Sequence, residues 1–466
     1  MVADAATTPS AVLDADRPRL VGQDVEVPLL GGRRARYVNL DFAASAPALE
    51  VVRDAVEEFL PWYSSVHRGA GWKSQLATRA YETARESVAA FVNARSDDVV
   101  VFTRNTTDAL NLLAAALPQD CHVVTFASEH HANLLPWRRH QVTCLAIPQS
   151  SADAVGMLDD ALSALPAGPR LVAATGAANV TGELWPVEAL ADVAHLHGAR
   201  FVLDAAQLAP HAPVDIARSG VDYVAFSGHK LYAPYGAGAL VGRPDWLAGC
   251  DPFLAGGGAV TFVTPTDVAW AGLPERQEAG SPNVIGAVAL GAACRALASY
   301  GMERIAAEET EFEDYAGRAL ASVPGLARYR MWADDHPRIG VLSFNLAGLP
   351  HGLVAASLAA EHGVAVRDGC FCAHPLMMQL LGIDECTAES VRSDLLAGKH
   401  VRIPGAVRLS TGLATTTADI DAAVTALRSL AVRGPLWSYD VDAESGEYRP
   451  EPDDRPWPAL RGILTR

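Results

Sequence analysis

The sequence predicts an α/β fold, with a large unit built on a mostly parallel sheet and a smaller α+β unit after it. Three features carry that expectation. From Asp97 onward short β-branched runs alternate with longer helical patterns, the rhythm of parallel strands with covering helices. Polar clusters fall at the ends of those runs, where ligands of such sheets bind. After Gly301 the order of elements changes to helix, strand, helix, strand, strand, helix.

Taken in order, residues 1–36 form an N-terminal segment. Its start, "MVADAATTPSAVLDADRPRL", has neither the basic opening nor the apolar stretch of a secretory signal. The large domain is expected at 37–300. Its strands are "DDVVVFT", "CHVVTFA", "PRLVAAT", "RFVLDAA" and "DYVAFSG", with "TTDALNLLAAAL" and "VEALADVAHLHG" as helices. The smaller domain, 301–432, begins with helix "MERIAAEETEFEDYAGRALASV". It continues through strand "GVLSFNLAG", helix "GLVAASLAAEHG" and strand "VAVRDG", and closes with the strand and helix of "AVRLSTGLATTTADIDAAVTALRSL". Residues 433–466, rich in proline and acid, are expected to be an irregular arm packed on the surface by Trp437 and Trp457.

Composition narrows the function. The 466 residues are half apolar and carry a formal charge of -17, which disfavours nucleic acid or an anionic membrane as a partner, since those need a basic face. No apolar run is long enough to span a bilayer, so a soluble cytoplasmic protein is expected. Seven scattered cysteines argue against a disulfide framework, and most are expected to be small core residues. "CFC", with His374 beyond it, finds no matching pair elsewhere, so no metal site is expected.

The chemistry centres on "SGHKLYAPYGAG", which places Lys230 just past an apolar run. A buried lysine without a partner tends to lose its proton, and the neutral amine is a nucleophile. Alone, a lysine after a strand is an ordinary loop residue. Asp204, ending "RFVLD" one strand earlier, gives it meaning. A lysine and a carboxylate at neighbouring strand ends suit pyridoxal phosphate, the lysine holding the cofactor and the acid pairing with its ring nitrogen. Thr106 and Thr107 open a helical pattern whose free amides would hold the phosphate, although threonine is also an ordinary cap.

"DAAQ", "SGHKLYAPYGAG", "SEHHANLLPW" and "EAGSPN" together resemble the class V aminotransferase-like, fold-type I pyridoxal-phosphate enzymes. The likeness runs from about Tyr37 to about Leu430 and is greatest to the sulfur-mobilisation cysteine desulfurases, also called selenocysteine lyases. It implies that Lys230 carries the cofactor and later moves the substrate Cα proton, that Asp204 pairs with the pyridinium, and that Gln207 bonds the ring hydroxyl. His130 would stack on the ring, while its neighbour His131 would be a surface or core histidine. Ser227 and His229 would join Thr106 and Thr107 at the phosphate. Ser281 would reach the phosphate of a second subunit, which implies a homodimer with shared sites. Asn179 would lie beside the ring hydroxyl and substrate carboxylate, and Arg408 in "GAVRLSTG" would clamp that carboxylate.

The family's nucleophile motif reads here "RDGCFCAHP", placing the reactive thiol at Cys372, with Arg367 and His374 as cations that would favour a thiolate. The implied reaction turns L-cysteine into L-alanine and an enzyme persulfide, for a sulfur-acceptor protein, with selenocysteine as a further substrate. Two features depart from the pattern: the extra Cys370, which also resembles the desulfurase part of molybdenum-cofactor sulfurases, and a long connection between Pro375 and Arg408. An aminotransferase, epimerase or C–S lyase on the same scaffold stays open at this stage, as does an idle cofactor-binding protein.

Overall fold

The computed structural model describes residues 17–399, 401, 403–442 and 445–457. Its largest sheet has seven strands: β1 (Val99–Thr103), β2 (His122–Phe126), β3 (Gln141–Leu145), β4 (Arg170–Thr175), β5 (Arg200–Asp204), β6 (Tyr223–Ser227) and β7 (Gly238–Gly242). They lie in the order β1-β7-β6-β5-β4-β2-β3. Every neighbouring pair is parallel except those of β7, which runs antiparallel to both β1 and β6.

The period of two in these strands divides their side chains between two cores. Val100, Val124, Phe201 and Val224 face one side, under the helices Glu50–Phe59, Trp72–Phe91 and Val284–Tyr300. Val101, Val123, Val202 and Ala225 face the other, against α1 (Thr106–Ala116) and Trp137. Burial on both faces explains why the strands read as continuous apolar runs, and why no polar alternation marked β7 as a strand.

The second sheet has four antiparallel strands: β8 (Leu326–Tyr329), β9 (Val341–Leu346), β10 (Arg367–Gly369) and β11 (Ala406–Ser410), ordered β8-β9-β11-β10. Helices α2 (His351–His362) and α5 (Thr417–Arg433) share its apolar core; between them lie α3 (His374–Leu380) and α4 (Glu385–Leu396) in the long connection. The run "VAVRDG", expected as one strand, is two. Val364–Ala365 pairs in parallel with Val38–Asn39, whereas Arg367–Gly369 joins β11. The two halves have different partners, and the change falls at Val366.

Two further expectations are corrected. The C-terminal arm contains a hairpin, Tyr439–Val441 with Tyr448–Pro450. Trp437 packs against Gly31, whereas Trp457 is 76% exposed, its ring facing Arg455 of the same arm at 5.4 Å. The grip comes instead from the buried Glu361, whose carboxylate accepts from Leu436 N at 3.1 Å and Tyr439 Oη at 3.0 Å. Of the cysteines, only Cys121, Cys294 and Cys370 are buried, while Cys144, Cys372 and Cys386 are exposed. Among the described residues no single helix is long and apolar enough to cross a membrane.

Candidate active site

A pocket of about 260 Å³ opens where β4, β5 and β6 end and α1 begins. Parallel registry puts Asp204 of β5 level with Ala225 of β6, so the chain leaving β6 carries Lys230 past the carboxylate. Lys230 keeps a face open to the pocket while protein surrounds the rest. Burial, and after it the charge of Arg408, push its amine down to about 8, against the opposing pull of Asp204. Asp204 is buried, accepts from Ala206 N at 2.9 Å, and is raised by that burial against the help of the same amide and of Lys230. An amine that gives up its proton more readily than a free lysine and a buried carboxylate thus share the pocket floor.

The α1 terminus forms one wall. Asn105 caps it, accepting from Asp108 N at 2.9 Å, and leaves the first helical amides facing the pocket end of β6. Ser227 Oγ accepts from Thr106 N at 2.8 Å and meets Thr106 Oγ1 at 2.7 Å; Thr107 and His229 line the same space. Gly238 is required here, because a Cβ on it would stand 2.8 Å from Asn105 Cα. The helix end, two threonines, a serine and a histidine suit a phosphate.

His130 lines the pocket, its Nδ1 accepting from Ala132 N at 3.0 Å. Burial, then Lys230, His131 and Arg408, hold it down at about 3, so it is a neutral ring suited to stacking. Gln207 donates from Nε2 to Ala43 O at 2.9 Å, and its buried Oε1 has no partner. Arg408, 4% exposed, donates to Asn179 O at 2.9 Å and to Asp41 Oδ1 at 3.4 Å, leaving a buried Nε unpaired. These two orphaned groups are what a ring hydroxyl and a substrate carboxylate would satisfy.

The second sheet supplies the opposite wall. β10 ends at Gly369, and the turn after it carries Cys370, Phe371 and Cys372. Cys372 is exposed and lines the pocket together with Lys230 and Arg408. Cys370 points away, donating from Sγ to Pro404 O at 2.8 Å. Asn179 reaches across, Nδ2 donating to Phe371 O at 2.7 Å, and the Arg408 guanidinium lies 4.9 Å from the Phe371 ring centre.

Thus Lys230, Asp204, Gln207, Thr106, Thr107, Ser227, His229, His130, Asn179, Arg408 and Cys372 all line one pocket. Ser281 does not; it is exposed on the loop before the helix Val284–Tyr300. Of the cations suggested for Cys372, Arg367 lines the pocket, while His374 pairs with His131, their ring nitrogens 3.1 Å apart. Sequence reasoning passed over Asp41 and Glu129. Asp41 stands between Arg408 and Arg367, and burial raises its carboxyl despite both. Glu129, fully buried, accepts from Asn133 Nδ2 at 2.8 Å and Thr175 N at 3.0 Å, and burial pushes it up to about 8. Asp41 gave no signal because its partners lie more than 300 residues away, whereas Glu129 adjoins His130 in a stretch already singled out.

Known proteins resemble the chain throughout this region. A model of the family "Aminotransferase class-V" matches residues 38–423. A "Probable cysteine desulfurase" of Halalkalibacterium halodurans is 36% identical over 354 residues, covering 74% of this chain and 86% of the relative. A "Cysteine desulfurase" of Klebsiella pneumoniae is 36% identical over 404 residues, covering 84% and 92%. Among solved structures, an apo cysteine desulfurase of Thermococcus onnurineus superposes with TM-score 0.74 at 30% identity, covering 85% of this chain and 94% of that one. A cysteine desulfurase of Escherichia coli, with an S-sulfonic acid, gives 0.70 at 32%, covering 84% and 94%.

Proposed function

The chain belongs to the aminotransferase class-V family, and from that premise we infer that it is a pyridoxal-phosphate-dependent cysteine desulfurase making L-alanine from L-cysteine. The observation that carries the reading is the presence of Cys372 in the same pocket as Lys230 and Arg408. The fit to the cofactor rests on the buried Asp204, the α1 terminus and the unpaired Gln207 Oε1. When bound, pyridoxal phosphate supplies an electron sink that acidifies the substrate Cα–H.

The protein's own residues do the rest. Asp204 would pair with the ring nitrogen, Thr106, Thr107, Ser227 and His229 would hold the phosphate, and His130 would stack on the ring. Arg408 takes the substrate carboxylate through the planar fork that Asn179 and Asp41 orient. Lys230 would hold the cofactor and would move the substrate Cα proton; an amine near 8 is suited to that at neutral pH. The Cys372 thiolate would form a bond to the substrate Sγ as the Cβ–Sγ bond breaks, the electron pair of that bond going to Cβ, which takes a proton to become the methyl group of alanine. Alanine leaves, and the sulfur stays as a persulfide on an exposed residue that an acceptor thiol can reach. Selenocysteine would be a further substrate by a route that needs no thiolate attack, because selenium leaves Cβ more readily than sulfur.

The same reading makes the protein a homodimer. Ser281 is exposed and lies outside the active-site pocket of its own chain, and Trp72, Phe262 and Val263 are exposed apolar side chains that a second subunit would cover.

Cys372→Ser tests the assignment. The variant should still bind L-cysteine and shift the cofactor absorbance, yet produce no alanine. Alanine at the wild-type rate would remove the persulfide step and leave a lyase, epimerase or aminotransferase.

A further inference from the structure

His131 and His374 join the two walls of the pocket, and neither has a part in the reaction described above. The turn they flank is costly. Phe371 and Cys372 adopt φ of 52° and 54°, consecutive left-handed residues without glycine. Such backbone persists only where the surroundings fix it, and it gathers at functional turns.

Three ties do so from the first wall. Asn179 Nδ2 donates to Phe371 O at 2.7 Å, and His131 N donates to Cys372 O at 2.8 Å. The third is made by side chains. His131 Nε2 and His374 Nδ1 stand 3.1 Å apart, with ring planes within 9° and centres 4.9 Å apart. His374 N also donates to His131 Nε2 at 3.4 Å. That nitrogen therefore keeps its lone pair, the His131 proton sits on Nδ1, and His374 Nδ1–H is the donor between the rings. Burial, followed by the neighbouring His374, lowers the basicity of His131 and favours this neutral acceptor.

We propose that His131 and His374 are positioning residues for sulfur transfer, a side-chain clamp that holds the Cys372 turn against the Lys230 wall so that the thiolate meets the substrate sulfur. The proposal rests on the desulfurase reading but concerns only how Cys372 is held. The cofactor floor does not depend on it, because Lys230, Asp204 and Ser227 keep their own hydrogen bonds and neighbours.

The test uses the cofactor-loaded enzyme with His131→Ala, His374→Ala and His131→Gln. Both alanine variants should keep the cofactor absorbance and a near-normal KM for L-cysteine while kcat falls about 10- to 100-fold, the scale of a misplaced reacting group. Backbone amide exchange in the peptide around Cys372, followed by mass spectrometry, should quicken in both. Glutamine at 131 should restore both readouts, since its Oε1 can accept from His374 Nδ1 where the imidazole Nε2 did. Unchanged kcat and unchanged exchange in the alanine variants would overturn the clamp. So would loss of cofactor from His131→Ala and His374→Ala alike, which would place the pair in the cofactor floor. If wild-type enzyme made no alanine, the desulfurase reading would fail, and the exchange comparison would still judge whether the pair holds the turn.

Discussion

Lys230 and Cys372 face the same pocket from supports of very different kinds. Lys230 follows β6, a strand buried along its whole length between two other strands, and burial lowers its amine against the pull of Asp204, buried on the next strand. Cys372 is the exposed residue of a turn with left-handed backbone, beyond a three-residue edge strand, held from across the pocket by Asn179 and His131. The contrast follows from the two tasks. Cofactor chemistry needs fixed charges in a dry, packed floor, where electrostatic placement counts most. A thiol that must meet the substrate and later surrender its sulfur to another molecule has to remain reachable from outside. Rigidity is therefore concentrated in the first wall and exposure in the second.

The largest effect should come from the rigid side. Lys230→Ala removes both the cofactor's attachment and the base, and proton transfer alone is worth about 10²–10⁴-fold. Alanine formation should fall at least that far while Cys372 alkylation in the folded protein is unchanged. The chain has only three lysines, Lys73, Lys230 and Lys399, so borohydride trapping of the cofactor gives a clean assignment. Trapping should yield the Lys230 peptide, and a label on either other lysine would dismantle the comparison. In cofactor-free protein, reductive methylation of Lys230 should rise with pH through about 8, because the neutral amine reacts and deprotonation occurs there.

Asp204→Asn should come next, at about 10²–10³-fold in alanine formation, the range for one removed electrostatic partner. Asp204 raises the Lys230 amine, so its loss should move the methylation midpoint in cofactor-free protein to lower pH. Cys372 alkylation should stay as it was. If asparagine instead slowed alkylation as much as alanine formation, the two walls would be one coupled unit, and the contrast drawn above would not hold.

The two walls also differ in how far the sequence disclosed them. Asp204 and Lys230 could be paired from sequence because each follows an apolar run, and neighbouring parallel strands deliver their ends to one edge. Thr106 was visible as a cap position, although its amide is bonded by Ser227, a residue 121 positions away that only the sheet brings near. The second wall was read from a motif alone. Spacing placed Cys372 correctly in the pocket but could not show the left-handed backbone beneath it, the break of "VAVRDG" into two strands, or the stacking of His374 on His131 across 243 residues. Asp41 was missed for the same reason. Local sequence carries periodicity and caps, whereas these features come from long-range packing between segments that show no mutual pattern.

The smallest effect sharpens the comparison within the second wall itself, where Cys370 and Cys372 lie two residues apart. Their environments are opposed. Cys370 is buried, its Sγ donates to Pro404 O at 2.8 Å, and burial, then the nearby Cys372, push its thiol up to about 11. At neutral pH it is protonated and turned away from the substrate, which makes it a support for the turn and a poor nucleophile. Serine preserves the donor to Pro404 at nearly the same size. Cys370→Ser should therefore keep alanine formation within about twofold and change stability by about 1 kcal/mol or less, the cost of altering one satisfied hydrogen bond. Iodoacetamide at neutral pH should modify Cys372 in the wild type and leave Cys370 untouched. Should Cys370→Ser abolish alanine formation while Cys372→Ser retains it, the nucleophile would be the buried thiol, and an exposed sulfur carrier would no longer explain how the second wall is built.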